Sequence, residues 1–296
     1  MKSKKIGWIG TGIMGGSMCM HVLKAGYEVY VHNRTKEKTD LLTAQGAIWC
    51  ESPTRVAENC STVFAMVGYP ADVRSVILGP DGVLAGMAPG GILVDMTTSE
   101  PSLAFEIFTR AGQQKIAALD APVSGGDIGA REGKLAIMAG GERDIFEACL
   151  PIFEIFGGNI AYMGHAGAGQ HTKMSNQIMI ASTMAGVVES LLYAAKSGLD
   201  MDEVIDIIGK GAASAFSLNV LGRRIAKRDF NPGFFIKHFV KDMGIALDEA
   251  RRMNLMLPGL SLVHQFYLGA MAMGYENLGT QGLYKVLAGL NQMDGR

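Results

Sequence analysis

A change of rhythm near residue 165 constrains this chain more than any other feature. Before it, short apolar runs alternate with helix-length stretches. After it, the short runs stop. KKIGWIG, EVYVHN, TVFAMV, GILVDMT, KIAALDAPV, KLAIMAGG and NIAYMG all lie in the first half, bounded by Gly, Pro, Asn or Asp. Their centres are apolar without interruption, the pattern of strands covered on both faces. MGGSMCMHVLKAG and SLAFEIFTRAG have the length and spacing of helices between such strands. The alternation predicts a mostly parallel sheet with helices on both sides.

In the second half, IMIASTMAGVVESLLYAAKSG is small and apolar nearly all round, which predicts a long helix buried on most faces. MDEVIDIIGKG, VKDMGIALDEARRM, LSLVHQFYLGAMAMG and TQGLYKVLAGL read as further helices. Gly198, Pro232, Pro258, Gly259 and Gly274 punctuate them.

Between the first strand and the first helix stands Gly10-Thr11-Gly12-Ile13-Met14-Gly15. A G-x-G-x-x-G pattern is weak alone, and 39 glycines make chance matches easy. Its place between strand and helix gives it meaning. The first glycine permits a tight turn, the second lets backbone approach a pyrophosphate, and the third packs helix on strand. The expected organisation is therefore α/β. A Rossmann-type, doubly wound dinucleotide-binding domain covers residues 1–164, and an all-α domain covers 165–296, joined through the long helix.

The second strand ends in Asn33, Arg34 and Thr35, with no acid where a ribose 2′-hydroxyl would be held. A guanidinium there can fork onto a 2′-phosphate and a threonine can donate to it. These residues favour NADP as cofactor, with NAD also admissible.

Net charge is −1 and no Lys/Arg block occurs, so neither nucleic acid nor an anionic membrane is an expected partner. No apolar run approaches the ~18 residues of a membrane span. Cys19, Cys50, Cys60 and Cys149 show no CxxC spacing and read as buried thiols in a reducing, cytoplasmic setting. His165 and His171 have no clustered acids beside them, so no metal site is expected.

Three motifs in order, GWIGTGIMG, DAPVSGG and GAGQHTKMSNQ, followed by Lys241 and Asp242 in FVKDMGIAL, resemble the β-hydroxyacid dehydrogenase family. That family includes 3-hydroxyisobutyrate dehydrogenase and tartronate semialdehyde reductase and is related to 6-phosphogluconate dehydrogenase. The resemblance spans essentially the whole chain. It implies hydride exchange between a nicotinamide and a short 3-hydroxy acid or its semialdehyde, in a homodimer or homotetramer. It also implies that Met66, Val67 and Thr98 line the cofactor and that Lys241 and Asp242 lie by its nicotinamide end.

The residues support this chemistry independently. Ser124 with the amides of Gly125 and Gly126, emerging where a strand ends, would cradle a substrate carboxylate; a plain Gly-Gly turn is the other reading. Lys173 would remove or return the hydroxyl proton once burial and neighbouring positive charge bring it towards the working pH. Asn176 and Gln177 follow at helical spacing and would orient the hydroxyl without adding charge. Much of the family carries Asn at the position of Gln177. The Asn-Gln pair looks like the tartronate semialdehyde reductase side. Phe234 and Phe235 could wall a substrate pocket or belong to the core. A non-catalytic cofactor-binding scaffold is the competing class, opposed by Lys173, Ser124 and Lys241.

Overall fold

The computed structural model describes residues 5–293. Among the described residues nine strands form one sheet: β1 Lys5–Ile9, β2 Glu28–His32, β3 Ile48–Trp49, β4 Thr62–Ala65, β5 Ile92–Asp95, β6 Ala117–Asp120, β7 Val123–Ser124, β8 Leu135–Gly140 and β9 Gly157–Gly164. Their order is β3-β2-β1-β4-β5-β6-β8-β7, with β9 added beside β8. From β3 to β6 all neighbours are parallel. β8 opposes both β6 and β7, and β9 runs parallel to β8. The sheet is thus mixed, with a parallel half whose order turns back at β1 and β4. Ligands of open α/β sheets bind outside the carboxyl ends of strands at such a reversal.

The uninterrupted apolar strands are explained by cover on both faces. Trp8, Phe64, Val94 and Leu119 pack with Met18, Phe153 and Phe156. Their sequence neighbours Val63, Leu93 and Ala118 pack instead with Val56, Ile77 and Ile107. Alternate residues of one strand therefore feed two separate cores. Trp8 stacks on Phe64 with ring centroids 5.4 Å apart. Burial of each such side chain contributes roughly 1.5–3 kcal/mol. β3 has only two residues, too few for periodicity to reveal it in the sequence.

The chain divides into two compact units, Met1–Lys173 and Met174–Arg296. The division falls inside the long helix Ala168–Lys196, not in the glycines before it. The second unit is helical, with Met201–Ile208, Ile236–Arg252, Pro258–Ala272 and Leu283–Leu290 matching expected segments. A π-helical turn, Ser217–Gly222, fills a stretch for which the sequence offered no period. Its core joins Met184, Val188, Leu191 and Leu192, spaced as one helix face, to Ile205, Phe239, Tyr267 and Tyr284. The buried Tyr267 hydroxyl donates to the Thr280 carbonyl at 2.8 Å, so it enters the core without an unpaired polar group.

The long helix is covered on most of its faces, with Ser175, Met179, Ser182, Gly186, Glu189 and Tyr193 forming one exposed stripe along it. Among the described residues it is also the one helix long and apolar enough, by length and composition, to cross a membrane. The expectation that no such stretch exists is thereby corrected: Ser182, Thr183, Gly186, Glu189 and Ser190 break the apolar run without lowering its average far.

Candidate functional site

The glycine loop shows a different constraint at each glycine. Gly10 has φ +89°, and a Cβ there would strike the Met66 carbonyl. Gly15 comes so close to the Gly10 carbonyl that no Cβ fits, which closes the helix onto the loop. At Gly12 an added Cβ would meet nothing within 4 Å, so the loop is open on that side. Helix Ile13–Lys24 follows, with no side-chain cap and no acid in its first turn. Its first amides are therefore available to an anion. The Thr11 hydroxyl is buried with no hydrogen-bond partner. Open space, uncapped amides and an unpartnered hydroxyl together fit a dinucleotide pyrophosphate.

The ends of the neighbouring strands are laced to this loop. Asn33 Oδ1 accepts from the Thr11 amide at 3.0 Å, and its Nδ2 donates to the Thr35 carbonyl at 2.8 Å. Asn33 thus braces the loop with both ends of its amide. Arg34, 88% exposed, donates to Asp72 Oδ1 at 3.2 Å. After β4 and β5 come the half-buried Met66, Val67 and Thr98. The Val67 amide donates to Thr97 Oγ1 at 3.0 Å, and the Thr97 amide to Asp95 Oδ1 at 3.0 Å. Ser124 pairs in register with Ala136 of β8, and Gly125 and Gly126 follow with φ +132° and +62°. Positive φ at both explains why that turn carries two glycines.

The start of the long helix is fastened to the same sheet. Asp120, at the end of β6 and 4% exposed, accepts from the Gly167 amide at 2.7 Å and the Gln170 amide at 2.8 Å. A Cβ on Gly169 would lie 2.6 Å from the Asp120 carbonyl, so the helix can approach only there without a side chain. Gln170 is fully buried; its Oε1 accepts from the Ser99 amide at 3.0 Å and its Nε2 donates to the Thr97 carbonyl at 2.7 Å. Burial pushes the Asp120 carboxyl up to about 6, against the opposing pull of the Gly167, Gln170 and Gly169 amides. One turn beyond Gln170, Lys173 is buried at 6% exposure.

Asp120, Thr97 and Gln170 lie within the apolar strands and motifs, but nothing local in the sequence assigns them roles. The only signal was an acid and an amide at strand and helix ends without a local partner.

In the helical unit, Asn176 Nδ2 donates to Gln177 Oε1 at 2.8 Å. Gln177 Nε2 donates to Asp242 Oδ2 at 2.5 Å. Lys241 Nζ lies 2.9 Å from Asp242 Oδ1, but off the axis of a hydrogen bond. Burial and the Lys241 ammonium hold His238 below its ordinary value, with Asp242 pulling the other way and Lys237 adding to the lowering. Phe234 packs edge-on against the core residue Phe239 at 5.7 Å, and Phe235 meets the His238 ring at 5.9 Å.

Comparison with known proteins also separates two regions, but at residues 164–167, just before the long helix. A family profile described as the NAD binding domain of 6-phosphogluconate dehydrogenase matches residues 5–164. A second, described as the NAD-binding region of NADP-dependent 3-hydroxyisobutyrate dehydrogenase, matches residues 167–287. The chain is 53% identical over 290 residues to a probable 3-hydroxyisobutyrate dehydrogenase-like 1, mitochondrial, of Arabidopsis thaliana, covering 98% of this chain and 86% of that protein. It is 37% identical over 283 residues to the 2-hydroxy-3-oxopropionate reductase of Escherichia coli K12, covering 96% and 97%. Among solved structures, the Mycobacterium tuberculosis 3-hydroxyisobutyrate dehydrogenase with L-serine superposes with a TM-score of 0.88 at 27% identity, covering 97% and 99%.

Proposed function

Because this chain belongs to the β-hydroxyacid dehydrogenase family and is an NAD(P)-dependent oxidoreductase of hydroxy acids, we propose that it interconverts a short 3-hydroxy acid and its semialdehyde, with NADP preferred and Lys173 as the general acid and base. The observation that carries this reading is the fastening of Lys173. It is buried and stands one turn beyond Gln170, whose side chain is tied to the loop after β5 that holds Thr97 and Thr98.

When bound, the nicotinamide supplies or accepts the hydride. The chain's own residues do the rest. Gly10, Thr11, Gly12, Ile13, Met14 and Gly15 hold the pyrophosphate at the start of the first helix. Arg34 leaves Asp72 to take the 2′-phosphate, and Thr35 donates to it. Asn33 keeps that strand end and the glycine loop in register. Ser124 and the amides of Gly125 and Gly126 receive the substrate carboxylate, a group that needs several donors at once. In oxidation, neutral Lys173 takes the hydroxyl proton; in reduction, its ammonium donates to the carbonyl oxygen and then returns the proton. Lys241 serves the nicotinamide end of the cofactor. The exposed stripe of the long helix supports a homodimer or homotetramer as the assembled form.

A second substrate reading is tartronate semialdehyde (2-hydroxy-3-oxopropionate), favoured by Gln177 and by the similarity to the E. coli reductase. A non-catalytic scaffold has no comparable observation behind it.

The test is a substrate panel with NAD and NADP, read at the nicotinamide absorbance band. It includes 3-hydroxyisobutyrate, 3-hydroxypropionate, glycerate, serine and tartronate semialdehyde. Lys173→Met should lower kcat by about 10²–10⁴-fold while cofactor affinity persists. Near-normal turnover in that variant would remove the lysine from the mechanism. Cofactor binding without turnover across the panel would favour the scaffold.

A further inference from the structure

Gln177 is almost entirely enclosed at 1% exposure, and both ends of its amide are engaged inside the protein. A side chain so occupied is poorly placed to bind substrate itself. We infer that Gln177 is a positioning residue: with Asp242 it forms a buried relay that fixes the orientation of the Asn176 amide, and Asn176 is the member that meets the substrate. The inference rests on the proposed function for its substrate, but the relay itself is a property of the chain.

The argument is one of donors and acceptors. An ionised carboxylate only accepts, so Asp242 Oδ2 fixes the NH₂ end of Gln177 towards itself. The carbonyl end of Gln177 must then face the other way. It accepts from Asn176 Nδ2, which fixes that amide in turn. A free asparagine can flip and offer either end to a ligand. This one cannot flip without turning a carbonyl against a carbonyl. What Asn176 offers is set: Oδ1 as acceptor and the second Nδ2 hydrogen as donor.

The two ends of the chain are the half-buried Asn176 and the partly accessible Lys241, while Gln177 and Asp242 between them are enclosed. Networks of this kind, in low dielectric, hold geometry more firmly than their members do singly. The length of Gln177 matters as well. It is the glutamine that spans from Asn176 to Asp242, with one end of its amide on each. A residue at this place therefore tunes substrate choice without touching substrate.

The test is a double-mutant cycle on kcat/KM with the best substrate of the panel. Gln177→Met keeps the bulk of the side chain and removes both hydrogen bonds. It should lower kcat/KM by about tenfold or more, mostly through kcat, and leave NADP affinity within about twofold. In an Asn176→Ala background, the same change should cost less than about threefold further. Losses that multiply in full would overturn the relay, as would an Asn176→Ala variant with normal kcat/KM. A loss confined to NADP affinity would instead mean that the pair acts on the cofactor through Lys241.

Should Gln177→Met fold poorly, Asp242→Asn run through the same cycle gives the same decision. Independently of turnover, nitrogen-15 spectra should show the Gln177 side-chain amide exchanging slowly with solvent, and Asp242→Asn should speed it. Fast exchange in the wild-type protein would end the proposal. If the wild-type protein turns over none of the hydroxy acids, the functional reading fails while the exchange measurement still decides the relay.

Discussion

The long helix carries two glutamines whose side chains are buried, Gln170 before Lys173 and Gln177 after it, and each is paired with a buried aspartate. The pairs are built differently. Asp120 takes backbone amides on both oxygens, and Gln170 binds the backbone of Thr97 and Ser99. Asp242 takes one side-chain amide on Oδ2, while on Oδ1 it has the Lys241 ammonium without a directed hydrogen bond. Backbone partners belong to the fold and cannot be exchanged by substitution. Side-chain partners can. The first pair therefore fastens the helix to its sheet, and the second is the kind of arrangement that sequence change can retune.

The sharpest way to break this contrast is Asp120→Asn. It turns an acceptor into a donor facing backbone N–H groups, leaving one of them buried and unpaired. The expected loss is about 1–3 kcal/mol of stability by urea unfolding, and an unchanged midpoint would deny the fastening role. The same variant sharpens a pH effect. Asp120 is raised to about 6 in the folded protein, above the ordinary 3.8, so between these values the folded chain holds the proton more often than the unfolded one. Stability from this group rises as pH falls from about 6 towards 4, and the cost of its buried charge is fully present above 6. The wild-type minus Asp120→Asn difference in stability should therefore shift in favour of the wild type on going from pH 7 to pH 5. No shift would mean that the amides outweigh burial.

A smaller effect is expected from Gln170→Glu. Its protonated carboxyl can donate to Thr97 O as the amide does, whereas the ionised form cannot, so its thermal midpoint should approach the wild-type value as pH is lowered. A gap that widens instead would show that the Thr97 contact is dispensable. Smallest for stability is Arg34→Ala. The exposed Arg34–Asp72 pair is worth well under about 1 kcal/mol, so the unfolding midpoint should hardly move. NADP affinity should nevertheless fall at least about tenfold more than NAD affinity, as titration of each cofactor would show. Equal losses would remove Arg34 from 2′-phosphate recognition.

Most of the fold was legible because its strands are apolar throughout and its turns are marked by glycine. The loop from Gly10 to Gly15 could be read residue by residue, since backbone conformation there leaves a direct trace in sequence. β3 and the π-helical turn were not legible: two residues carry no period, and a π turn has none of its own. The partners of Asn176 and Gln177 were out of reach for another reason. A buried polar contact such as Gln177 to Asp242 joins residues far apart in the chain, and its donor and acceptor directions exist only once the core has packed.

The close approach at Gly169 has a consequence for anyone dissecting this protein. A fragment ended at Gly164, where the glycine stretch invites a cut, would leave the Asp120 carboxylate in the core without the Gly167 and Gln170 amides. The Ser99 amide and the Thr97 carbonyl near that edge would likewise lose the Gln170 side chain that pairs them. A first half able to stand alone should therefore run through Lys173, and whoever expresses it obtains the cofactor domain together with the buried lysine that the proposed function makes its acid and base.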